Sequence, residues 1–390
     1  MARKKSKLRR AISPRHLRWM ASRALISAAP ALRRPLNFHG RAISVAAAAE
    51  RLLFEDAMVV DRPFSAEDVD FIRSSCREHD GPAEPDYWAA PWRFSTAYYL
   101  LNDVEMLSHT GCLADVAGRG LISADGAPEN WNRDKLALLR AADPIAGTAL
   151  TVRRYTNYFH LMLEAAMPLV AYFEHADKLD GPHSIVSAPV GPGFARETLK
   201  AIAARYGARL VELPKGSKAR LENVATYVRR TPCSDWPMAR PETAAALRDA
   251  LLAHFGRQID PSAGRRLYLR RGASKIRNLR NDDDFTALAT EDGFEILEPA
   301  SANLADQVQR TAEADRILAV HGAALANLIF ARPGAALVEV FAQDFCKSVY
   351  MMLARQLGLT HFRVVSGPGD YQQNFTADLP KIKSQLQRAA

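Results

Sequence analysis

Residues 315–341, DRILAVHGAALANLIFARPGAALVEVF, limit the fold more than any other part of the chain. An apolar run over 316–320 leads into His321-Gly322 and then into a small-residue helix start over 323–330. Arg332-Pro333-Gly334 makes a turn, and a second β-branched run ends in Glu339-Val340-Phe341. Strand, loop, helix and strand in that order form a βαβ unit. Ligands of such units sit at the carboxyl end of the first strand, where the next helix presents N–H groups that lack partners. His321-Gly322 holds that position. Glycine lets a backbone approach a ligand closely. Ala323 and Ala324 leave the helix start uncovered. An anion, most simply a phosphate, is the expected occupant.

The flanking sequence repeats the alternation. On its amino-terminal side it predicts a strand at 266–270, a helix at 283–291, a strand at 294–297 and a helix at 304–314. After it come a helix at 347–357 ended by Gly358, a strand at 362–365 and an amphipathic helix at 379–388. Strands alternating with helices imply a doubly wound, largely parallel sheet. The stretch 258–264, with Pro261 and Gly264, reads as a linker. Before it lie a helix apolar on nearly all sides at 157–175, strands at 184–188, 209–213 and 224–228, and helices at 196–206 and 242–255. Residues 46–150 read as an irregular β-rich opening with short strands at 57–60, 97–101, 104–107 and 121–123.

The fold class expected from this pattern is α/β: two Rossmann-like domains facing a cleft. The expected divisions are a tail at 1–45, an acceptor-side domain at 46–257, a nucleotide-binding domain at 258–375 and a terminal helix at 376–390. Four widely scattered cysteines with no close pair argue against a disulfide framework or a zinc site.

Charge is unevenly placed. Residues 1–41 hold twelve Lys or Arg and no acid; the remainder has 40 bases against 43 acids, a net −3. The basic character therefore belongs to a tail. Leu17, Trp19, Met20, Leu25 and Ile26 are interleaved there with arginines, which suits an anionic membrane surface. A solvated, largely disordered arm is the other reading. Nucleic acid is not expected as a partner, because the charge does not continue onto the folded part. The longest uncharged run of the tail, 24–32, is far short of the ~20 residues that span a bilayer.

Several residue groups carry chemistry. Arg270-Arg271 ends a strand at the same sheet edge as His321, and Lys275 and Arg277 follow in the loop. Arginine suits bidentate phosphate binding. Asn281-Asp282-Asp283-Asp284 contains a formal DxD metal pattern, but Asp at a helix cap and first turn is what a helix start prefers. No metal site is assigned. Glu339 at a strand end is a candidate to accept ribose hydroxyls. His160 and Glu164, four apart on an otherwise apolar helix, make a candidate general base with its orienting carboxylate, or else a structural hydrogen bond.

With these residues assembled, the chain resembles glycosyltransferase family 61. The likeness rests on HGAALANLIF at 321–330 with Pro333-Gly334 and VEVF at 338–341, and on LRR at 269–271. It extends to Arg277, Asn281-Asp282 and Gln307, and to NYFHLMLE at 157–164. It covers roughly residues 97–365. Asp282 stands where Glu is usual, and Ala324 where Gly is common.

The resemblance implies a GT-B-like fold and inverting transfer from a nucleotide-diphosphate sugar, UDP-linked in known members. It needs no cofactor beyond that donor. The acceptor is then a hydroxyl of a cell-surface glycan or glycolipid. Donor binding falls to Arg270, Arg271, Arg277, Asn281, His321, Gly322, Ala323, Ala324, Asn327 and Glu339, and catalysis to His160 and Glu164. Without a spanning helix the chain reads as a bacterial-type member, cytoplasmic and peripheral at the inner face of the cell membrane. Two alternatives stand beside this: a polysaccharide pyruvyl transferase of the same architecture, and a non-catalytic membrane-surface or nucleic-acid-binding protein.

Overall fold

A computed structural model describes residues 42–61, 64–75, 91–115, 121–123, 141–175, 177–191, 193–233, 236–272 and 276–389. The basic tail at 1–41, Cys76 and Lys275 lie outside the described residues.

Two sheets organise the molecule. The first contains β1 (Ala42–Ser44), β2 (Arg51–Val60), β3 (Trp92–Leu107), β4 (Leu113–Asp115) and β5 (Leu121–Ser123). It continues with β6 (Asp143–Val152), β7 (His183–Ser187), β8 (Arg209–Glu212) and β9 (Lys218–Arg230). Their spatial order is β1-β5-β4-β3-β9-β6-β7-β8, with β2 also on β3. β9, β6, β7 and β8 run parallel, and β3 pairs antiparallel with β9 and β2. The helix Gly193–Tyr206 links β7 to β8, and a longer helix at 158–174 links β6 to β7. Such crossovers are what a parallel pair requires.

The second sheet contains β10 (Arg265–Leu269), β11 (Glu295–Leu297), β12 (Ala314–Val320), β13 (Ala336–Phe341) and β14 (Thr360–Val365). Its order is β11-β10-β12-β13-β14, parallel throughout. The chain enters at β10, steps outward to β11, then reverses to β12. The switch point therefore lies between β10 and β12, and ligands of open parallel sheets bind beside such a point. Every residue of β13 is buried, as expected of a strand covered on both faces. The predicted βαβ unit is present, with one difference: Ala323–Phe330 is a 3-10 helix.

The opening at 46–150 is more regular than expected. β2 and β3 are long and pair along most of their length. β6 escaped notice because Pro144 and Gly147 interrupt its apolar run. The strand absorbs the glycine where the register with β9 shifts between Ile145 and Thr148. Gly147 has φ +79, and a Cβ there would lie 2.8 Å from the Pro182 carbonyl oxygen. A larger residue would lose the bulge.

One apolar cluster joins the two sheets. It takes in Leu150 and Ile185 from the first and Leu267, Ile317 and Leu337 from the second. Between them lie Leu161 and Met167, Leu247 and Leu251 of the helix Pro241–His254, and Leu325. Each such side chain, fully buried, contributes about 1.5–3 kcal/mol. The helical layer between the sheets is thus shared core, and it fixes how the loops of one sheet meet those of the other.

Candidate active site

The carboxyl ends of β10 and β12 bring Arg270, Arg271, His321 and Gly322 together. Arg270 is committed. Its Nε and Nη2 donate to Asp282 Oδ2 at 2.9 and 2.5 Å. Asp282 opens the helix Asp282–Glu291, so one carboxylate serves both the helix start and the arginine. The DxD pattern resolves accordingly: all three aspartates lie in the first turn of a helix.

Arg271 lies against the backbone of the β12 loop, and its Nη1 donates to the His321 carbonyl at 3.2 Å. Its guanidinium fills the space where a side chain at 322 would begin. Gly322 is extended, φ 172, a conformation open to any residue. A side chain at 322 would have to displace that guanidinium from its place against the loop.

Arg277 stacks over the Phe345 ring at 4.7 Å, and its buried Nε has no hydrogen-bond partner among the described residues. Burial pulls Arg271 down to about 10, and the Arg277 charge pulls the same way. Burial lowers Arg277 as well. Two desolvated guanidiniums that disfavour each other gain from an incoming anion. Lys347 adds a third cation felt at His321.

His321 is buried. Its Nδ1 pairs with Glu339 Oε1 at 2.6 Å, and its ring lies between Phe341, Phe345 and Tyr350. Burial, then the charges of Arg277, Lys347 and Arg271, push it well below the usual histidine range. A neutral imidazole fixed in this way shapes the loop.

Glu339 departs from the expected role. It sits inside β13, its carboxyl group is fully buried, and its second oxygen meets His361 Nε2 at 2.8 Å. Burial raises it well above the usual carboxylate range. With both oxygens enclosed by histidines, it has none to offer a ribose. Asn281 is also structural: its amide accepts from the Ala377 N–H at 2.8 Å and donates to the Ala377 carbonyl at 3.1 Å. Asn327 is fully buried, accepts from the Tyr158 hydroxyl at 2.6 Å and donates to Gln307 Oε1 at 3.3 Å. Ala323 and Ala324 keep part of their surface exposed at the start of the 3-10 helix.

The bond from Tyr158 comes from the other sheet's helix. That helix runs Tyr158–Leu161, continues through a π turn at Met162–Ala166, and resumes at Met167–Glu174. Asn157 caps it by accepting from the Phe159 N–H at 2.9 Å. Phe159 meets Tyr350 edge-on at 5.9 Å, and the Tyr350 hydroxyl donates to the Gly322 carbonyl at 2.7 Å. The first turn of the helix is thus seated directly on the 322–327 loop. Two residues on, His160 Nδ1 pairs with Glu164 Oε2 at 3.1 Å, with the imidazole side chain 50% exposed. Glu164 Oε1 also meets Arg229 Nη2 at 3.4 Å. Burial pushes the Glu164 carboxyl up, but the His160 and Arg229 hydrogen bonds and charges outweigh it and hold the group below its ordinary value. The π turn re-aims the helix at this carboxylate, a device common at functional sites.

Glu164 opens onto a cavity of about 470 Å³ beyond the carboxyl ends of β6 and β9. Arg153, Tyr155, Tyr227, Arg229 and Arg230 line it. The sequence reading missed these residues, together with Lys347 and His361. A signal existed for the arginines: Val152-Arg153-Arg154 and Val228-Arg229-Arg230 repeat the strand-ending pattern of Leu269-Arg270-Arg271.

The family model described as Glycosyltransferase 61 matches residues 158–338. The match supports membership of glycosyltransferase family 61. The match starts at the helix turn that carries His160 and ends in β13, so it spans the contact between the two sheets. A comparison with curated proteins gives no match. A domain of this family supports a sugar-transferring enzyme in kind, and the family works in general with a nucleotide-sugar donor and a glycan acceptor.

Proposed function

We propose that this member of glycosyltransferase family 61 is a metal-independent inverting enzyme that moves a sugar from a UDP-sugar to a glycan hydroxyl. The observation that carries the reading is the seating of the Tyr158–Leu161 turn on the 322–327 loop. It brings the turn that carries the His160–Glu164 pair onto the loop against which Arg271 lies.

The two sheets act as the halves of a GT-B-like enzyme. Arg271 and Arg277, with Lys347 near them, hold the diphosphate and stabilise the charge that develops on it. Arg270 supports the helix at Asp282. The Glu164 carboxylate accepts Nδ1–H of His160, which leaves Nε2 to take the acceptor proton. The acceptor oxygen then bonds to the anomeric carbon from the face opposite the diphosphate. The bond from carbon to phosphate oxygen breaks, and its electron pair leaves with UDP. The sugar's anomeric configuration inverts.

The proposal keeps the enzyme cytoplasmic, with the basic residues 1–41 touching anionic lipid at the inner membrane face. Among the described residues no helix is long and apolar enough to cross a membrane.

A thermal-shift screen of UDP-, GDP- and CMP-sugars tests the donor. A rise in melting temperature with UDP-sugars, persisting in EDTA and lost in Arg271→Ala, is expected. Stabilisation that EDTA abolishes would move the diphosphate role to a metal.

A further inference from the structure

The cavity below Glu164 is built for charge. Four charged side chains line it: Arg153, Arg229 and Arg230 against Glu164. Arg229 is tied to Glu164 at 3.4 Å, and Arg230 meets Glu55 at 3.8 Å and the Tyr99 hydroxyl at 3.0 Å. Among the described residues Arg153 has no carboxylate partner, yet its charge is felt at the Tyr227 hydroxyl inside the cavity. The arginines arrive by topology. β6 and β9 are parallel neighbours, and each ends in paired arginines, so both pairs reach the same edge of the sheet. Gly111 packs against the backbone of Arg153, where a Cβ would come 2.6 Å from the Arg153 Cα. That contact fixes where the guanidinium's stem begins.

Aromatic and hydroxyl groups complete the lining. Tyr155 and Tyr227 offer faces for a sugar ring, and Thr151 and Thr226 offer hydroxyls. Tyr227 is held by its own hydroxyl, which donates to the Glu164 carbonyl. At about 470 Å³ the cavity lies within the roughly 300–1,000 Å³ of small-ligand sites.

We propose that this cavity is the acceptor site, and that it takes an anionic sugar, one bearing a carboxylate or a phosphate, whose charge is met by Arg153. This rests on the glycosyltransferase reading for the identity of the transferred group, but not for the binding itself. An anion seated on Arg153 brings the neighbouring hydroxyls of its ring toward Glu164 and the His160 paired with it. A neutral glycan would leave the guanidinium with water alone. The charge balance also disfavours a nucleotide here. A diphosphate fits the two desolvated arginines of the other rim, whereas in this cavity Arg229 and Arg230 already face Glu164 and Glu55, which leaves Arg153 to meet a single anionic group.

Binding to the full-length chain tests the proposal without any donor. Titrations by calorimetry would compare cellobiouronic acid, glucose 6-phosphate and neutral cellobiose. Either anionic sugar is expected to bind roughly 10-fold tighter than cellobiose, about the size of one charge-assisted hydrogen bond. The stronger of the two identifies the acceptor's charge as carboxylate or phosphate. Arg153→Gln should erase the preference, and Arg153→Lys should restore part of it; unchanged melting temperatures would show both variants folded. Equal affinity for all three sugars, no binding of either anionic sugar, or a preference that survives Arg153→Gln overturns the proposal. A chain that binds the anionic sugar through Arg153 but no nucleotide sugar would break the functional reading instead.

Discussion

The molecule contains two His–Glu pairs, one from each sheet, and they differ in almost every physical respect. His321 and Glu339 meet at 2.6 Å with side chains 6% and 0% exposed. His160 and Glu164 meet at 3.1 Å with side chains 50% and 23% exposed. In the first pair burial works on both partners, and each is pushed toward its neutral form. In the second the carboxyl is held charged by His160 and Arg229. The first pair is a knot that locks a loop, and the second is an exposed pair that the proposed mechanism uses as its base. The same two residue types do different work because desolvation decides whether charge is available.

Mutation can break this contrast at either end. The largest expected effect is on turnover. His160→Ala should lower transfer by about 10²- to 10⁴-fold, the usual contribution of a general base, with little change in melting temperature. Steady-state rates on the purified variant measure it, and near-normal turnover would remove the assigned base. Glu339→Ala should act on the other axis. It strips hydrogen-bond partners from both His321 and His361, so urea unfolding should show a loss of about 2–4 kcal/mol. Glu339→Gln keeps the shape and should cost less.

The smallest effect is on acid stability. The Glu164 carboxyl is depressed in the folded chain below its ordinary 4.5. Its contribution to stability is therefore fully present above pH 4.5 and is lost as pH falls through the lower folded value. His160→Ala removes one cause of that depression. The variant's urea midpoint should therefore fall less steeply below pH 4.5 than the parent's.

Much of the second sheet was legible because its signals are local. The 315–341 unit announced itself through apolar runs of strand length, a small-residue turn after His321 and a Pro-Gly break. Gly358, with φ +70, follows the helix Val349–Gln356 as a left-handed residue should. The aspartates at 282–284 behaved as helix-start residues. The first sheet was harder to read. β6 carries Pro144 and a bulge at Gly147, so its strand pattern is broken in one dimension and repaired only by pairing with β9. Losing β6 hid the significance of Arg153, and with it the cavity.

The candidate site shows the same division. His321, Gly322, Arg271 and Arg277 were found from position alone, because the end of a parallel strand is a place the sequence specifies. Lys347 lies past β13, outside the unit that drew attention, yet its charge reaches His321.

The sequence by itself determined the βαβ alternation, the edge at which the arginines and His321 collect, and the spacing that puts His160 and Glu164 on one stripe. These follow from periods of two and near four that any chain segment carries within itself. Only the tertiary structure decided which charges are free. Glu339 lost its exposed role because β14 pairs along β13 and carries His361 to its other oxygen. Arg270 keeps its charge but spends it on Asp282, and Arg271 took the space that Gly322 leaves. Burial and pairing depend on neighbours distant in sequence, so a residue's chemistry can be listed from the chain, but its availability is set by the fold.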